Sequence, residues 1–390
     1  MHRVVWSTEL LGYDFGPGHP MSSERIDLTI ALAGGLGLLE QPDVEVVAAP
    51  EAPDELLETV HTREYVDAVR RAAATGRPDP ARGLGTEDNP VFPLMHTAAA
   101  RVVAGSAHAA LAVMGGAATH AVNVGGGLHH AMPGAASGFC LYNDAAVAIR
   151  AALAAGADRV AYVDLDAHHG DGVQAVFWDD PRVLTISVHE TGRHLFPGTG
   201  FPAEVGGPGA RGTAVNVALP SGTGDAGWLR ALDAVVPPLL EDFAPDLLVT
   251  QHGCDSHRLD PLTSLRTSVD GQRAATVMLH DLAHSAAGGR WLALGGGGYA
   301  WVEVVPRVWT HLLGIATHRP VALAQPLPQM WRDAVIQRYG AVAATTMAEG
   351  VDPTFTPWSS GYDPADDLDR AVRATRQAVF PHHGLDPDAY

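Results

Sequence analysis

The chain has 390 residues, of which 46% are hydrophobic and 18% are charged, and its formal net charge is −19. This composition excludes a disordered chain, and the acidic balance argues against direct binding of nucleic acid. All 25 basic residues are arginine, and the two cysteines exclude both a disulfide scaffold and a Cys-rich zinc site. We find no apolar run near the ~20 residues that a membrane span needs, and no secretory signal, so we expect a cytoplasmic protein without a membrane segment.

Short apolar runs rich in β-branched residues alternate along the chain with longer Ala/Leu-rich segments. In chain order, the predicted strands are Arg3–Ser7, Val44–Ala48, Ala121–Val124, Arg159–Leu165, Val183–Val188, Ala214–Leu219, Leu247–Thr250 and Trp291–Leu294. The predicted helices are Arg25–Leu39, Thr62–Ala74, Thr97–Met114, Ala145–Ala155, Trp228–Glu241, Gly271–Ser285 and Val302–Leu313. This alternation predicts an α/β fold in which helices cover both faces of a parallel sheet.

No internal repeat or linker divides the first 320 residues. We therefore predict a single doubly wound domain over residues 1–320. Residues 321–390 are richer in Pro and Asp, and we expect this C-terminal extension to pack on the domain or to trail from it without carrying any chemistry.

Unusual polar clusters directly follow five of the predicted strands. These clusters are Gly125–His130, Asp164–Asp171, Ser187–His189, His252–Asp255 and Gly295–Tyr299. Ligands of open parallel sheets bind just beyond the carboxyl ends of the strands. We therefore interpret the five clusters as parts of one site.

The second cluster predicts a metal site. Asp164, Asp166 and His168 are spaced by two, so on an extended segment their side chains point to the same side. One carboxylate and one imidazole from this cluster, together with Asp255, give an O,N,O ligand set. Three protein ligands with an open position are typical of catalytic zinc, and the mixed set also suits ferrous iron. The alternative is a hydrogen-bonded Asp/His network that caps the strand ends.

His129 and His130 follow three glycines, where the backbone can approach a ligand closely. Histidine can act both as the base that activates water and as the acid that protonates a leaving amine. Asp164 and Asp171 are available to orient the two imidazoles. Tyr299 follows Gly295 to Gly298, where its phenol can donate a hydrogen bond to a developing oxyanion.

These residues resemble the zinc-dependent histone deacetylase family, and most closely its bacterial branch, the acetoin-utilisation deacetylases. The resemblance extends in order from about residue 3 to residue 315. It rests on the segments Tyr13–Met21, Glu87–Phe92, Gly125–His130, Ser137–Cys140, Asp164–Gly172, Phe196–Gly200 and Gly295–Tyr299. It implies the arginase/deacetylase fold, which is one α/β domain with an eight-stranded parallel sheet, and makes residues 1–320 the catalytic domain.

The resemblance also implies a role for each matching residue. His130 matches the general base, His129 its electrostatic partner, and Tyr299 the tyrosine that polarises the carbonyl. The positions that match the metal ligands are Asp166, His168 and Asp255. The positions that match the substrate-binding residues are Asp88, Gly138, Phe139 and Phe196. A structural potassium site is matched by Ser187 and by the main chain of Asp164, Asp166, His168 and Val188. The implied substrate is an acetylated protein, for which an acyl-CoA-forming metabolic enzyme is a candidate.

Two alternatives differ in the reaction. Arginase-type hydrolases of the same fold need further carboxylates for a second ion, and this chain has Gly170 and Gly253 at those places. One ion is therefore favoured. Hydrolysis of acetylpolyamines needs the same metal chemistry and a different tunnel. Asp88 favours a peptide, because polyamines lack backbone amides, but a carboxylate also attracts cations, so the sequence leaves this alternative open. It also leaves the oligomeric state open.

Overall fold

A computed structural model describes residues 1–340 and 344–389. Within these residues the eight predicted strands form one all-parallel sheet, which confirms the predicted fold class. The strands are β1 His2–Val5, β2 Val44–Val47, β3 His120–Asn123, β4 Val160–Asp164, β5 Val183–Glu190, β6 Ala214–Leu219, β7 Leu247–Gln251 and β8 Trp291–Leu294.

The order of the strands across the sheet is β2-β1-β3-β8-β7-β4-β5-β6. The five strands followed by polar clusters, β3, β8, β7, β4 and β5, are therefore direct neighbours. In the register of the sheet, Asp164 at the end of β4 lies beside Ser187 of β5 and Gln251 of β7. The polar clusters consequently meet along one continuous edge.

Eleven α-helices lie within the described residues. They are α1 Glu24–Gly35, α2 Asp54–Leu57, α3 Arg63–Thr75, α4 Met95–Met114, α5 Asp144–Ala154, α6 Asp171–Val176, α7 Asp225–Phe243, α8 Val269–Ala286, α9 Val305–Ala316, α10 Gln329–Tyr339 and α11 Asp367–Val379. All seven predicted helices are present, with different ends. Helices α2, α6, α10 and α11 were not predicted.

Local chemistry explains the differences at the helix ends. Helix α1 ends at Gly35, before the predicted Leu39, because Gly37 adopts the left-handed conformation with φ of 70°. Thr62 lies outside helix α3 as its N-cap, where its hydroxyl accepts a hydrogen bond from the Tyr65 amide at 3.3 Å. Helix α9 begins at Val305 rather than at Val302, with a proline in its first turn.

The strands are apolar on both faces because helices cover both. Alternate residues of β4 separate into two hydrophobic cores: Ala161 and Val163 pack with α1, α7, α8 and α9, whereas Val160 and Tyr162 pack with α3, α4 and α5. This arrangement is the doubly wound architecture that the strand–helix alternation predicts.

Helix α4 corrects the expectation that no segment is long and apolar enough to span a membrane. Its 20 residues are long and apolar enough to cross a membrane by length and composition alone. However, most of this helix is buried, and it packs against β3 and α5. Helix α4 is therefore a core helix.

The C-terminal residues contain more structure than their composition indicates. Trp331 of α10 is buried and donates a hydrogen bond from Nε1 to the Leu28 carbonyl at 2.9 Å. Arg230 of α7 forms two hydrogen bonds with the buried Asp369 carboxylate, at 2.7 and 2.8 Å. Val372 of α11 joins the core between the sheet and α7. Side chains from residues 321–340 and 344–389 thus form part of one face of the core. The expectation was that these residues only pack on the surface of the domain or trail from it.

Candidate metal centre and active site

The three predicted metal ligands converge at the ends of two adjacent strands. Asp166 and His168 follow β4, and Asp255 follows β7. The His168 Nδ1 atom lies 3.0 Å from Asp166 Oδ1 and 2.9 Å from Asp255 Oδ2. All three residues are buried, and one possible ligand atom from each lies within 4.8 Å of the others.

The charges of this group favour a bound cation. Burial and the neighbouring Asp166 charge raise the pKa of Asp255 to about 8. Burial alone would lower the pKa of His168, but its hydrogen bonds to Asp166 and Asp255 raise it to about 10. Two buried carboxylates that share one imidazole therefore need an added positive charge, supplied by a proton or a metal ion. The donor set fits a divalent ion with oxygen and nitrogen ligands.

Glycines leave room for these carboxylates. A Cβ atom at Gly297 would collide with the carboxylates of both Asp255 and Asp166, and one at Gly253 would collide with Asp166. A Cβ atom at Gly170 would likewise collide with the Asp164 carboxylate. The two positions that carry additional acidic residues in arginase-type enzymes therefore have no space for a side chain.

The histidine pair is held by the two predicted aspartates. The Nδ1 atom of His129 lies 2.7 Å from Asp164 Oδ2, and the Nδ1 atom of His130 lies 2.6 Å from Asp171 Oδ1. The two Nε2 atoms are 3.0 Å apart. Since each Nδ1 donates its proton to a carboxylate, the two Nε2 atoms share one proton between them. Tyr162 also donates to Asp164, at 2.7 Å.

Opposite pKa shifts distinguish the two imidazoles. Burial lowers the pKa of His129, but the negative charges of Asp164 and Asp166 outweigh burial and raise it to about 9. Burial and the charge of His129 lower the pKa of His130 to about 4. His129 therefore holds the shared proton more strongly than His130 does, and His130 accepts it in a hydrogen bond at Nε2. Two histidines with such different pKa values can take different roles, His130 as a base and His129 as the neighbouring group that carries positive charge.

The predicted substrate residues line one pocket with a volume of about 210 Å³. Its lining combines Asp88, His130, Gly138, Phe139, His168, Leu195, Phe196, Leu262 and Tyr299. Leu195 and Leu262 were not predicted, because an isolated leucine in a loop has no distinguishing sequence signal. The pocket runs from the exposed Asp88 to the buried His130 and His168.

Backbone geometry at residues 138 and 139 keeps the pocket narrow. Gly138 has a φ of 50°, and a Cβ atom there would lie 2.5 Å from the His130 ring and 2.8 Å from the Phe196 ring. Phe139 also has a positive φ, 67°, and its carbonyl accepts a hydrogen bond from the Tyr13 hydroxyl at 2.8 Å. This strained turn presents the Phe139 ring to the pocket.

Tyr299 lines the same pocket as His130 and His168. Its amide donates to Asp260 Oδ2 at 2.8 Å, and its ring packs edge-on against Phe139 with centroids 5.6 Å apart. Burial and the charge of Asp255 raise the pKa of Tyr299 well above its usual value. The phenol therefore keeps its proton and can act as a hydrogen-bond donor.

Three of the residues predicted to bind potassium are neighbours in β4 and β5. Asp164 ends β4 directly beside Ser187 in β5, and Val188 is the next residue of that strand. The Ser187 hydroxyl is 2.8 Å from His189 Nδ1. The structure therefore brings Asp164, Ser187 and Val188 close together.

Several supporting residues were missed from the sequence. Gln251 donates to Asp166 Oδ2 at 2.7 Å, and Asp144 accepts from the Gly127 and Leu128 amides. Arg25 is buried and donates to the Gly296 carbonyl at 2.6 Å, which holds the glycine-rich loop. Gln251 had a usable signal, because it is an amide side chain at the end of an apolar strand. The other contacts depend on the tertiary fold.

Comparison with known proteins identifies this arrangement. The family model of the histone deacetylase domain matches residues 19–316. The chain belongs to the histone deacetylase family.

Relatives of this family agree with the chain over most of its length. The acetoin utilization protein AcuC of Bacillus subtilis is 43% identical across 79% of the chain and 80% of its own length. AcuC of Staphylococcus xylosus is 37% identical across 84% and 85%. The crystal structure of an HDAC homologue complexed with SAHA superimposes with a TM-score of 0.84 at 26% identity, covering 96% of this chain and 99% of that one. Membership of the histone deacetylase family makes the chain a deacetylase, which is a hydrolase.

Proposed function

We propose that this deacetylase is metal-dependent and removes acetyl groups from lysine side chains of proteins, releasing acetate. The observation that carries the proposal is the narrow pocket, because it begins at the exposed Asp88 and reaches His130, His168 and Tyr299. A long, thin side chain with a terminal amide matches that shape. The buried end offers a base, a hydrogen-bond donor and three metal ligands around one point.

The proposed cofactor is one Zn²⁺ ion held by Asp166, His168 and Asp255, and Fe²⁺ suits the same ligands. When bound, the ion supplies Lewis-acid chemistry, since it polarises the acetyl carbonyl and makes a coordinated water more acidic. A K⁺ ion with a structural role belongs to the proposal at the position of Asp164 and Ser187. Oxygen ligands from a carboxylate, a hydroxyl and main-chain carbonyls suit such a hard cation.

Each remaining residue has a role that follows from its hydrogen bonds. His130 accepts a proton from the attacking water at Nε2 once that lone pair is released from His129, and Asp171 keeps its ring in the required orientation. Protonated His129 adds positive charge next to His130. Tyr299 donates a hydrogen bond to the developing oxyanion. Protonated His130 or His129 delivers a proton to the departing lysine amine.

The proposed substrate contacts divide the lysine side chain into two parts. The rings of Phe139 and Phe196 face the apolar methylene stem, and Gly138 leaves space beside the His130 and Phe196 rings. Asp88 lies at the rim, where its exposed carboxylate accepts hydrogen bonds from backbone amides of a peptide. A cytoplasmic acetylated protein, with an acyl-CoA-forming metabolic enzyme as the candidate, is the proposed partner. The name of the AcuC relatives links this proposal to acetoin metabolism.

Acetylpolyamine hydrolysis is the second candidate. The observation that favours it is charge, because an Asp88 carboxylate on a chain with net charge −19 attracts a polycation. The two substrates differ in backbone amides, which only the peptide supplies.

One assay separates the two candidates. We expect the purified protein to deacetylate acetyl-lysine peptides with a higher kcat/KM than acetylputrescine or acetylspermidine. Asp88→Asn is expected to raise KM for the peptide by about tenfold, the effect of a weakened hydrogen bond to a charged group. Glu87→Gln, which removes the adjacent exposed carboxylate, is the matched control and should leave KM unchanged. Turnover of polyamines alone would contradict the protein substrate.

A further inference from the structure

Four histidines meet at the edge of the sheet opposite the active site. His120 is the first residue of β3, His280 and His284 lie in α8, and His318 follows α9. One ring nitrogen from each lies within 4.8 Å of those of the other three. The ring centroids of His280 and His284 are 4.7 Å apart, and those of His120 and His318 are 4.9 Å apart.

The hydrogen bonds of two rings point their free nitrogens into this cluster. The Nδ1 atom of His120 donates to the Ala316 carbonyl at 2.7 Å, so its Nε2 atom carries a lone pair. His120 is fully buried, and among the described residues its Nε2 atom has no hydrogen-bond partner. The Nε2 atom of His280 is also buried and unpartnered within residues 1–340 and 344–389, while its Nδ1 atom faces Asp281. Each of these two nitrogens is therefore available to coordinate an ion.

The sequence positions favour joint coordination. His280 and His284 are four residues apart in one helix, so their rings lie on the same face. His318 adopts a φ of 58°, and this left-handed turn directly after α9 brings its ring to the cluster. Burial, and then the neighbouring histidines, lower the pKa of His120 to about 3, so its ring is neutral and able to coordinate.

We propose that His120, His280, His284 and His318 form a second metal site, separate from the candidate catalytic site, that binds a divalent cation of borderline softness such as Zn²⁺. Imidazole is a ligand that zinc favours, and a closed set of four protein ligands is typical of structural zinc. The Ala316 carbonyl supplies the outer hydrogen bond that ligating histidines make.

The geometry needs a small closure to bind an ion. A Zn–N distance of about 2.0–2.1 Å places tetrahedral ligand atoms about 3.4 Å apart, against the present limit of 4.8 Å. His284 and His318 are exposed, so their side chains can rotate toward the buried His120, and the ion can enter from solvent. The bound ion would join β3, α8 and the segment after α9, which are distant in the sequence.

Zinc binding by the tag-free, full-length protein tests this proposal independently of the catalytic site. The background is Asp255→Asn, which lacks one proposed catalytic ligand. We expect this variant to bind one Zn²⁺ per chain in equilibrium dialysis, and Zn²⁺ to raise its Tm by a few degrees. Loss of a residue that only hydrogen-bonds to a metal ligand lowers metal affinity by about 10–100-fold. Adding His284→Ala removes a ligand itself, so it should lower the zinc affinity by more than this and should abolish the Tm shift.

The matched control is Asp255→Asn with His108→Ala, which removes an exposed histidine from α4 and should retain the ion. The second site would be overturned if Asp255→Asn bound zinc equally well, with an equal Tm shift, with and without His284→Ala. It would also be overturned if Asp255→Asn bound no zinc. Deacetylation by the single variant His284→Ala is expected to match that of the wild type, so failure of the proposed function would be seen separately.

Discussion

Replacing Asp255 by asparagine is expected to lower kcat for an acetyl-lysine peptide by about 10³-fold or more while the protein stays folded. Asparagine keeps the shape of the side chain, and its Oδ1 can still accept the hydrogen bond that Ala167 donates to Asp255 at 2.8 Å. The variant loses the negative charge that faces His168. Since Lewis-acid stabilisation is worth several kcal/mol, a weakened metal ligand predicts a loss of this size.

The measurement is steady-state deacetylation with zinc content determined on the same samples, and circular dichroism reports the fold. Asp260→Asn is a useful neighbouring control, because that carboxylate contacts the Tyr299 amide and is not a proposed ligand. Asp260→Asn should retain the zinc that Asp255→Asn loses from this site. Wild-type turnover in Asp255→Asn would refute the proposed ligand set.

Tyr299→Phe is expected to lower kcat by about 10²–10³-fold with little change in KM. Removing a single hydrogen-bond donor to an oxyanion has an effect of this magnitude, and the donor acts only as the oxyanion forms. The substitution removes only the hydroxyl group, because the amide contact with Asp260 and the edge-on packing against Phe139 do not involve it.

Tyr362→Phe, in the C-terminal residues away from the pocket, is the matched control for loss of a phenol and should leave kcat unchanged. Kinetics over a range of peptide concentrations separate kcat from KM. A rise in KM at constant kcat would show that the Tyr299 hydroxyl only binds the substrate, and unchanged kinetics would remove it from the mechanism.

The sheet could be predicted from the sequence because each strand is a short apolar run between turns. The residues of a buried strand such as β4 face two cores in turn, so the strand is a continuous run of apolar residues rather than an alternation of apolar and polar ones. Helix α11 was missed although its apolar residues, including Leu368, Val372 and Val379, lie on one face, which is a usable sequence signal. Helix α10 has no such segregated face, so only tertiary contacts such as those of Trp331 reveal its buried side.

The candidate site could be predicted to the extent that its residues follow strands directly. Asp166, His168 and Asp255 come from strand ends whose adjacency follows from the parallel topology. Arg25 and Leu262 could not be found in this way, since one acts through a carbonyl 271 residues away and the other lies in a loop. The four-histidine cluster was missed for the same reason, because its members come from three separate elements.

Removal and replacement of the metal tests the central claim most directly. The enzyme is stripped with a chelator, shown to be metal-free by elemental analysis, and assayed for acetate release from an acetyl-lysine peptide. The proposed mechanism predicts negligible turnover by the stripped protein and recovery when Zn²⁺ or Fe²⁺ is added back, with no recovery in Asp255→Asn. Full turnover by protein verified to contain no metal would contradict it.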